Sequence, residues 1–318
     1  GTLQKNADLA MYSAKRTRSG VQAFRPALSE VAEQQLQLEQ ELRGALSRGA
    51  LQLHYQPIVD TLTLRPYSVE ALVRWPHPTR GLLTPERFLR VAEVSDLMVP
   101  LGQWVLREAV AQLAQWRRRW PDLKISVNVA ARQFEQPSFW TDLEQLLTGH
   151  GLPLSAIELE VTEDDIHDHS HVQACLPLVR QGLRLAIDDF GTGYSSLSRL
   201  YNLPVQGLKL DRSLLKDVRW TGLSPQSDPQ VGPDLSGGAE AAQLSFPHQT
   251  AGALVRGIIR LAREAGLQVV VEGVETVDQL EQLQRWQPDF IQGDLMSRPA
   301  PAHEIEAILN ELMDDDLD

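Results

Sequence analysis

Two adjacent aspartates, Asp188 and Asp189, close the apolar run Leu185-Ala186-Ile187 and are followed at once by a loop that carries Gly191 and Gly193. The pattern reads as a buried strand that opens into a flexible turn. Two neighbouring like charges at a strand end repel unless a cation sits beside them. A pair of divalent ions is the simplest such partner, because hard cations take carboxylate oxygens and one carboxylate can bridge two of them. Read in isolation, the stretch is also compatible with a helix N-terminus with acidic caps.

Other residues of the same chemistry recur along the chain. Glu70, Asn128, Glu160, Asp188, Lys209, Glu272 and Gln292 end or interrupt seven separate β-rich runs. Clustered carboxylates with no histidine or thiolate among them point to Mg²⁺, Mn²⁺ or Ca²⁺, not Zn²⁺. Left uncompensated, such a cluster would be very costly. The expected use is two-metal hydrolysis of a phosphate ester. Lys209, deep among the carboxylates, could steer or deprotonate the attacking water, or form a structural ion pair.

The elements that must position these groups follow from the runs themselves. They are Leu51 to Val59, Ser68 to Trp75, Lys124 to Val129, Ile157 to Val161, Leu183 to Asp188, Gly207 to Leu210, Gln268 to Glu272 and Phe290 to Gln292, most of them separated by helical segments. Eight runs in this alternation predict an α/β fold, a (β/α)₈ TIM-like barrel whose functional groups sit at the C-terminal ends of its strands. Period-2 spacing places Glu158, Glu160 and Thr162 on one strand face, and likewise Lys209 and Asp211, so each set is expected at one mouth. The stretch from Asp60 to Pro66 is too short for a helical crossover, so the first strand is expected to pair antiparallel with the second.

The chain has 318 residues, a hydrophobic content of 42% and a formal net charge of −12. That charge argues against a partner that is a nucleic-acid polymer, since such binding rests on a basic surface. It is compatible with a small phosphorylated ligand drawn to metal ions. No apolar run approaches a membrane span, and the opening Gly1-Thr2-Leu3-Gln4-Lys5, with no apolar core segment, is not expected to be a secretory signal. Together with a single cysteine, Cys175, read as a small buried hydrophobe, this suggests a reducing, cytoplasmic setting, with any membrane anchor in a missing N-terminal region. The segment 219–249 shifts to Pro, Gly and Ser and is expected to be a mobile surface excursion or a cover over the mouth. His167 and His171 share helical spacing, best explained as a solvated helix start. Trp116-Arg117-Arg118-Arg119-Trp120 reads as a basic helix end before Pro121. The tail from Asp314 to Asp318 is expected to be solvated. From Ser29, a strong helix former with Ser29 as its cap is expected to run to about residue 48.

Six ordered motifs then carry a resemblance: Glu70-Ala71-Leu72-Val73-Arg74-Trp75, Asn128-Val129-Ala130, Glu160-Val161-Thr162-Glu163, Asp188-Asp189-Phe190-Gly191-Thr192-Gly193, Leu208-Lys209-Leu210-Asp211 and Glu272-Gly273-Val274-Glu275. Over about residues 40–310 the chain resembles the EAL family of cyclic-di-GMP phosphodiesterases, and residues 5–24 resemble the last helix of a GGDEF domain. The resemblance implies a residual GGDEF-like piece at 1–28, a connector helix at 29–48 and an EAL barrel at 49–318. It implies opening of cyclic-di-GMP to linear pGpG with two divalent cations, Mg²⁺ or Mn²⁺, and with Ca²⁺ inhibitory. Glu70, Asn128, Glu160 and Asp188 match ligands of a first metal. Asp188, Asp189 and Glu272 match those of a second. Lys209 and Gln292 match residues that contact the catalytic water, and Glu163 matches a glutamate that steadies the loop after Asp189. Gln56, Leu72, Arg74, Asp211 and Glu275 match positions that hold the dinucleotide. A homodimer and upstream GGDEF or sensory domains are implied partners, and a non-cleaving cyclic-di-GMP receptor is the rival function. The departures are Ala130 in place of a serine, Gln206 in place of an acid, and Asp294-Leu295-Met296 where aromatic residues are usual.

Overall fold

The computed structural model describes residues 26–162, 175–191, 203–218, 220 and 248–314. Glu163, His167, His171, the loop from Thr192, the helix read at 5–24, most of the segment 219–249 and the end of the tail lie outside them.

The chain enters through helix α1 (Pro26–Ser47). It begins three residues before the expected cap, so Ser29 lies inside it. Proline suits a first helical turn, where an N–H would have no partner in any case. The second half of α1 is docked on the barrel: Leu38, Leu42 and Ala45 join the main core, and Glu41 Oε2 lies 3.0 Å from Nε2 of the buried His77.

Strand β1 (Gln52–Asp60) turns directly into β2 (Pro66–His77), antiparallel, with Gln52 opposite Arg74 and Gln56 opposite Glu70. Asp60 drives the turn: its Oδ1 accepts from the backbone N–H groups of Leu62 at 3.0 Å and Thr63 at 2.8 Å, a side-chain substitute for a backbone turn. Short β3 (Gly81–Leu83) pairs with the far end of β2.

Helices α2 (Pro85–Val94) and α3 (Met98–Trp116) lead to β4 (Lys124–Asn128), which lies parallel to β2. After α4 (Ala131–Phe134) and α5 (Phe139–Gly149) come β5 (Ile157–Thr162), α6 (Leu176–Arg180), β6 (Arg184–Phe190) and β7 (Gly207–Leu210). The circuit ends with α7 (His248–Glu264), β8 (Gln268–Val271), α8 (Val277–Trp286) and β9 (Phe290–Ile291). Strands β4 to β9 are parallel to their neighbours, and β9 returns antiparallel to β1 through Val59 and Ile291. The result is a closed eight-strand barrel with helices around it, in which only β1 runs against its neighbours. Short β10 (Ala300–Pro301) pairs antiparallel with β1 at His54 and Tyr55, and α9 (Ala302–Asp314) packs back beside it.

The core fills the space between barrel and helices. Ala109, Leu113 and Trp116 of α3 are buried with Ile125 and Val127 of β4. Trp116 meets the Tyr55 ring edge-on at 4.7 Å and donates from Nε1 to Glu306 on α9 at 2.8 Å. The Trp-Arg-Arg-Arg-Trp stretch is thus a helix end, with Trp116 inside and Arg117 Nη1 bonding the Leu123 carbonyl at 2.8 Å. Cys175 is fully buried, and burial pushes its thiol up to about 11. Among the described residues no helix is long and apolar enough to cross a membrane.

Candidate active site

The barrel interior is layered, and its acidic groups divide between the two ends. Glu158 shares a strand face with Glu160, as period-2 spacing predicts, but it sits one layer deeper. Its Oε2 pairs with Arg184 Nε at 2.8 Å, and Arg184 also bonds Gln268 at 2.5 Å. Tyr67, stacked on Phe290 at 3.9 Å, covers this end with Lys124 over its ring. The expectation that Glu158 lines the same mouth as Glu160 is therefore corrected: it closes the opposite end.

At the C-terminal end of the strands the remaining groups converge. Lys209, fully buried at the third position of β7, places Nζ 3.0 Å from Glu70 Oε2, 2.9 Å from Glu160 Oε2, 2.7 Å from Glu272 Oε1 and 3.6 Å from Asp188 Oδ1. Glu70 lies on β2 where it pairs with β4. Its other oxygen accepts from Asn128 Nδ2 at 2.7 Å, while Gln292 Nε2 donates to Oε2 at 2.7 Å.

Asp188 and Asp189 are consecutive, and an unbroken strand would send them to opposite faces. The β6–β7 register instead shifts between Ile187 and Phe190. Asp189 takes a left-handed φ of 55°, and its N–H bonds Asp188 Oδ1 at 2.9 Å. This bulge turns both carboxylates to one side. Gly191 follows at φ 105°, packed so closely on Leu214 that a Cβ would lie 2.6 Å from its side chain.

Burial pushes the Glu70 carboxyl up, but Lys209 and the bonds from Gln292 and Asn128 outweigh it and hold the group below its usual value. Glu160 and Asp188 have less help. Burial first, and Glu70 beside them, raise both. Burial and the neighbouring acids push Glu272 up to about 8. Burial disfavours charge on Lys209 too, yet its four carboxylate partners overcome this and hold it well above the ordinary lysine value. Of the three roles read for Lys209, the ion pair is the one this geometry shows, and an ammonium held charged is unsuited to deprotonate a water.

The donor set fits hard cations. Oxygens of Glu70, Glu160 and Asp188 lie within 4.8 Å of one another, as do those of Asp188, Asp189 and Glu272, and the two groups share Asp188. Glu160 Oε1 is buried with no hydrogen-bond partner, an arrangement that costs free energy unless something positive meets it. Above the cluster opens a cavity of about 970 Å³ that reaches Leu72, Arg74, Asp211 and Glu275.

The profile of the EAL domain family matches residues 39–224 and 243–299. The chain belongs to the EAL domain family. This EAL domain is 38% identical over 313 residues to the cyclic di-GMP phosphodiesterase NbdA of Pseudomonas aeruginosa, an alignment covering 96% of the chain and 36% of that protein. It is 34% identical over 303 residues to the cyclic di-GMP phosphodiesterase PdeR of Escherichia coli, covering 94% of the chain and 41% of that protein. The chain thus spans well under half the length of these curated relatives. Among solved structures it resembles the PaMucR phosphodiesterase in complex with c-di-GMP, with TM-score 0.72 and 37% identity over 85% of this chain and 99% of that one.

The departures of this EAL domain have local explanations at two positions. Ala130 cannot cap α4 with a side chain, and Gln133 Oε1 takes its N–H at 3.1 Å instead. Gln206 accepts from Leu185 N at 3.0 Å and donates to the Pro204 carbonyl at 2.7 Å, a structural role at the foot of the barrel. Asp294 lines the cavity beside Gly293, whereas Leu295 and Met296 pack against the core. Spacing gave no sign of Glu86, Arg90 and Arg132, which line the wall formed by α2 and α4. They come from helices, where no strand periodicity marks them. Asp211 lines the cavity while its Oδ1 caps the short 3₁₀ turn after β7, accepting from Ser213 N at 2.9 Å.

A pH dependence follows for the EAL domain without divalent ions. Glu272 moves from 4.5 in the unfolded chain to about 8 in the folded one, so across that window the native state holds a proton the unfolded state has released. The stabilisation is full below pH 4.5 and is lost as pH rises through about 8. A cation replaces that proton. The rise in Tm on adding Mn²⁺ is therefore expected to be larger near pH 8 than near pH 5. Melting curves with Mn²⁺ and with a chelator at both values check this, and equal rises would contradict it.

Proposed function

We propose that this EAL domain hydrolyses cyclic di-GMP to linear pGpG with two divalent cations, Mg²⁺ or Mn²⁺. The observation that carries the reading is the pair of carboxylate groups sharing Asp188 beneath a cavity of about 970 Å³, in a chain whose relatives are named as phosphodiesterases of that dinucleotide. Glu70, Asn128, Glu160 and Asp188 would hold one cation, and Asp188, Asp189 and Glu272 the other. Bound there, the cations would offset negative charge developing around the phosphorus.

The chain's own groups supply the rest. Arg74, half-buried on β2 with its carbonyl-bonded guanidinium at the cavity wall, suits a phosphate oxygen through its fixed donor fork. The Lys209 ammonium pairs with Glu70, Glu160 and Glu272 and would have an N–H for a water once cations draw those carboxylates away. That water's oxygen would form a bond to phosphorus as the bond to one ribose 3′-oxygen breaks, the water giving up one proton and the departing 3′-oxygen taking one up as a hydroxyl, which yields the 5′-phosphate end of pGpG. Asp211, Glu275 and Leu72 border the same cavity and would contact the dinucleotide. In this reading α1 is the element through which an upstream GGDEF-type or sensory domain acts.

Purified protein supplied with Mg²⁺ or Mn²⁺ is expected to convert cyclic di-GMP to pGpG, followed by chromatography of the products. Retention of the dinucleotide with no product under either ion would instead support the receptor reading.

A further inference from the structure

The turn that leaves β4 is held by two consecutive backbone N–H groups. Val129 N donates to the Glu160 carbonyl at 2.8 Å, and Ala130 N donates to Gln133 Oε1 at 3.1 Å. Asn128, just before them, is the last residue of β4 and directs Nδ2 at Glu70 Oε1, 2.7 Å away. The aim of the Asn128 side chain therefore depends on how that turn is fixed.

Gln133 has one workable orientation. A backbone N–H only donates, so the amide oxygen must face Ala130 and the NH₂ group must point away. Turned over, donor would meet donor. The cost appears at the other end: Gln133 is 2% exposed, and its Nε2 is buried without a hydrogen-bond partner. Leucine or methionine would fill the same space with no unmet donor to bury. The amide belongs there for what its oxygen holds. It also holds alone, because Ala130 has no hydroxyl with which to complete a reciprocal capping box, and Gln133 N turns to the Ala130 carbonyl at 2.9 Å instead.

The seat of this amide is on another helix. Gly102 lies within α3, and a Cβ there would overlap the Gln133 amide carbon, nitrogen and oxygen alike. All three atoms rest on the bare face of the helix. Glycine inside a helix is costly, and here it makes the room that the amide occupies.

We propose that Gln133, seated on Gly102, is a positioning residue for the cation site: it pins Ala130 so that the Asn128 side chain keeps its aim beside Glu70. This rests on the reading above that Asn128 holds a cation, and it makes the α3 backbone a support of that site.

Calorimetry of the metal-free protein with Mn²⁺ as the probe compares wild type, Gln133→Leu, Gly102→Ala and Asn128→Ala. Gln133→Leu and Gly102→Ala are each expected to raise the Kd for Mn²⁺ by about 10–100-fold, the range for groups that orient a metal ligand. Alanine is the better helix former, so a loss at position 102 reports the lost seat and not a weakened helix. Variants that melt at lower temperature yet take up Mn²⁺ as the wild type does, while Asn128→Ala does not, would overturn the proposal, since a purely structural cap predicts that result. A second readout needs no metal. In ¹⁵N-resolved spectra of the metal-free protein, the Asn128 side-chain amide signals should shift in both variants, and unmoved signals would also overturn the proposal. If Asn128→Ala takes up Mn²⁺ like the wild type while those signals move, the assignment of Asn128 as a ligand falls and the positioning by Gln133 stands.

Discussion

Lys209→Met should abolish turnover and, in the absence of divalent ions, should destabilise the protein by roughly 3–5 kcal/mol near pH 8, the cost of stripping one partner from a buried charged group. The side chain is 1% exposed and is the cation shared by four carboxylates. Methionine keeps much of its volume, so the loss is one of charge and of donors. The same variant should recover most of that stability on adding Mn²⁺, because ions held by the carboxylates replace the missing charge, while activity stays absent. At pH 5 the destabilisation should shrink, since Glu272, pushed up to about 8 by burial, is then protonated. Urea melts with and without Mn²⁺ measure the first part, and product formation the second. A folded, active Lys209→Met protein would remove Lys209 from the chemistry.

Glu70→Ala carries the second large expectation. Asn128, Lys209 and Gln292 all direct a donor at this carboxylate, and alanine leaves all three without their acceptor. Each buried donor so abandoned costs about 1–3 kcal/mol. If Glu70 also holds a cation, its removal takes several kcal/mol of transition-state stabilisation with it, or at least about 10³-fold in rate. The two effects separate experimentally. Mn²⁺ titration followed by calorimetry should show weakened uptake in the variant even where melting shows it folded. Unchanged Mn²⁺ uptake would place Glu70 outside the cation site.

Much of this arrangement was legible before any coordinates. The eight β-rich runs correspond to the eight barrel strands because parallel strands buried on both faces read as short apolar stretches. The antiparallel β1 was legible from the brevity of the link after Asp60. The convergence of Glu70, Glu160, Asp188, Lys209 and Glu272 followed from the rule that barrel strands present their C-terminal ends together. Three things were not legible. Glu158 and Glu160 obey the same alternation, and only depth along the barrel axis, which periodicity does not encode, separates their roles. The start of α1 at Pro26 escaped because a serine three residues on offered the more familiar cap. The partner of Gln56 Nε2 is the Ser297 backbone carbonyl, 241 positions away, and backbone atoms leave no mark in a pattern of side-chain types.

The bulge at Asp188 and Asp189 bears on how this centre can change. Glu70 and Glu160 arrive on separate strands and Glu272 just past the end of a third, so their oxygens can be adjusted one at a time. The two aspartates hang from successive α-carbons of a single kinked backbone, wedged by Gly191 against Leu214. Any displacement of that kink moves both candidate cation positions in concert, so the pair behaves as one mechanical unit, set or spoiled together by the end of one strand.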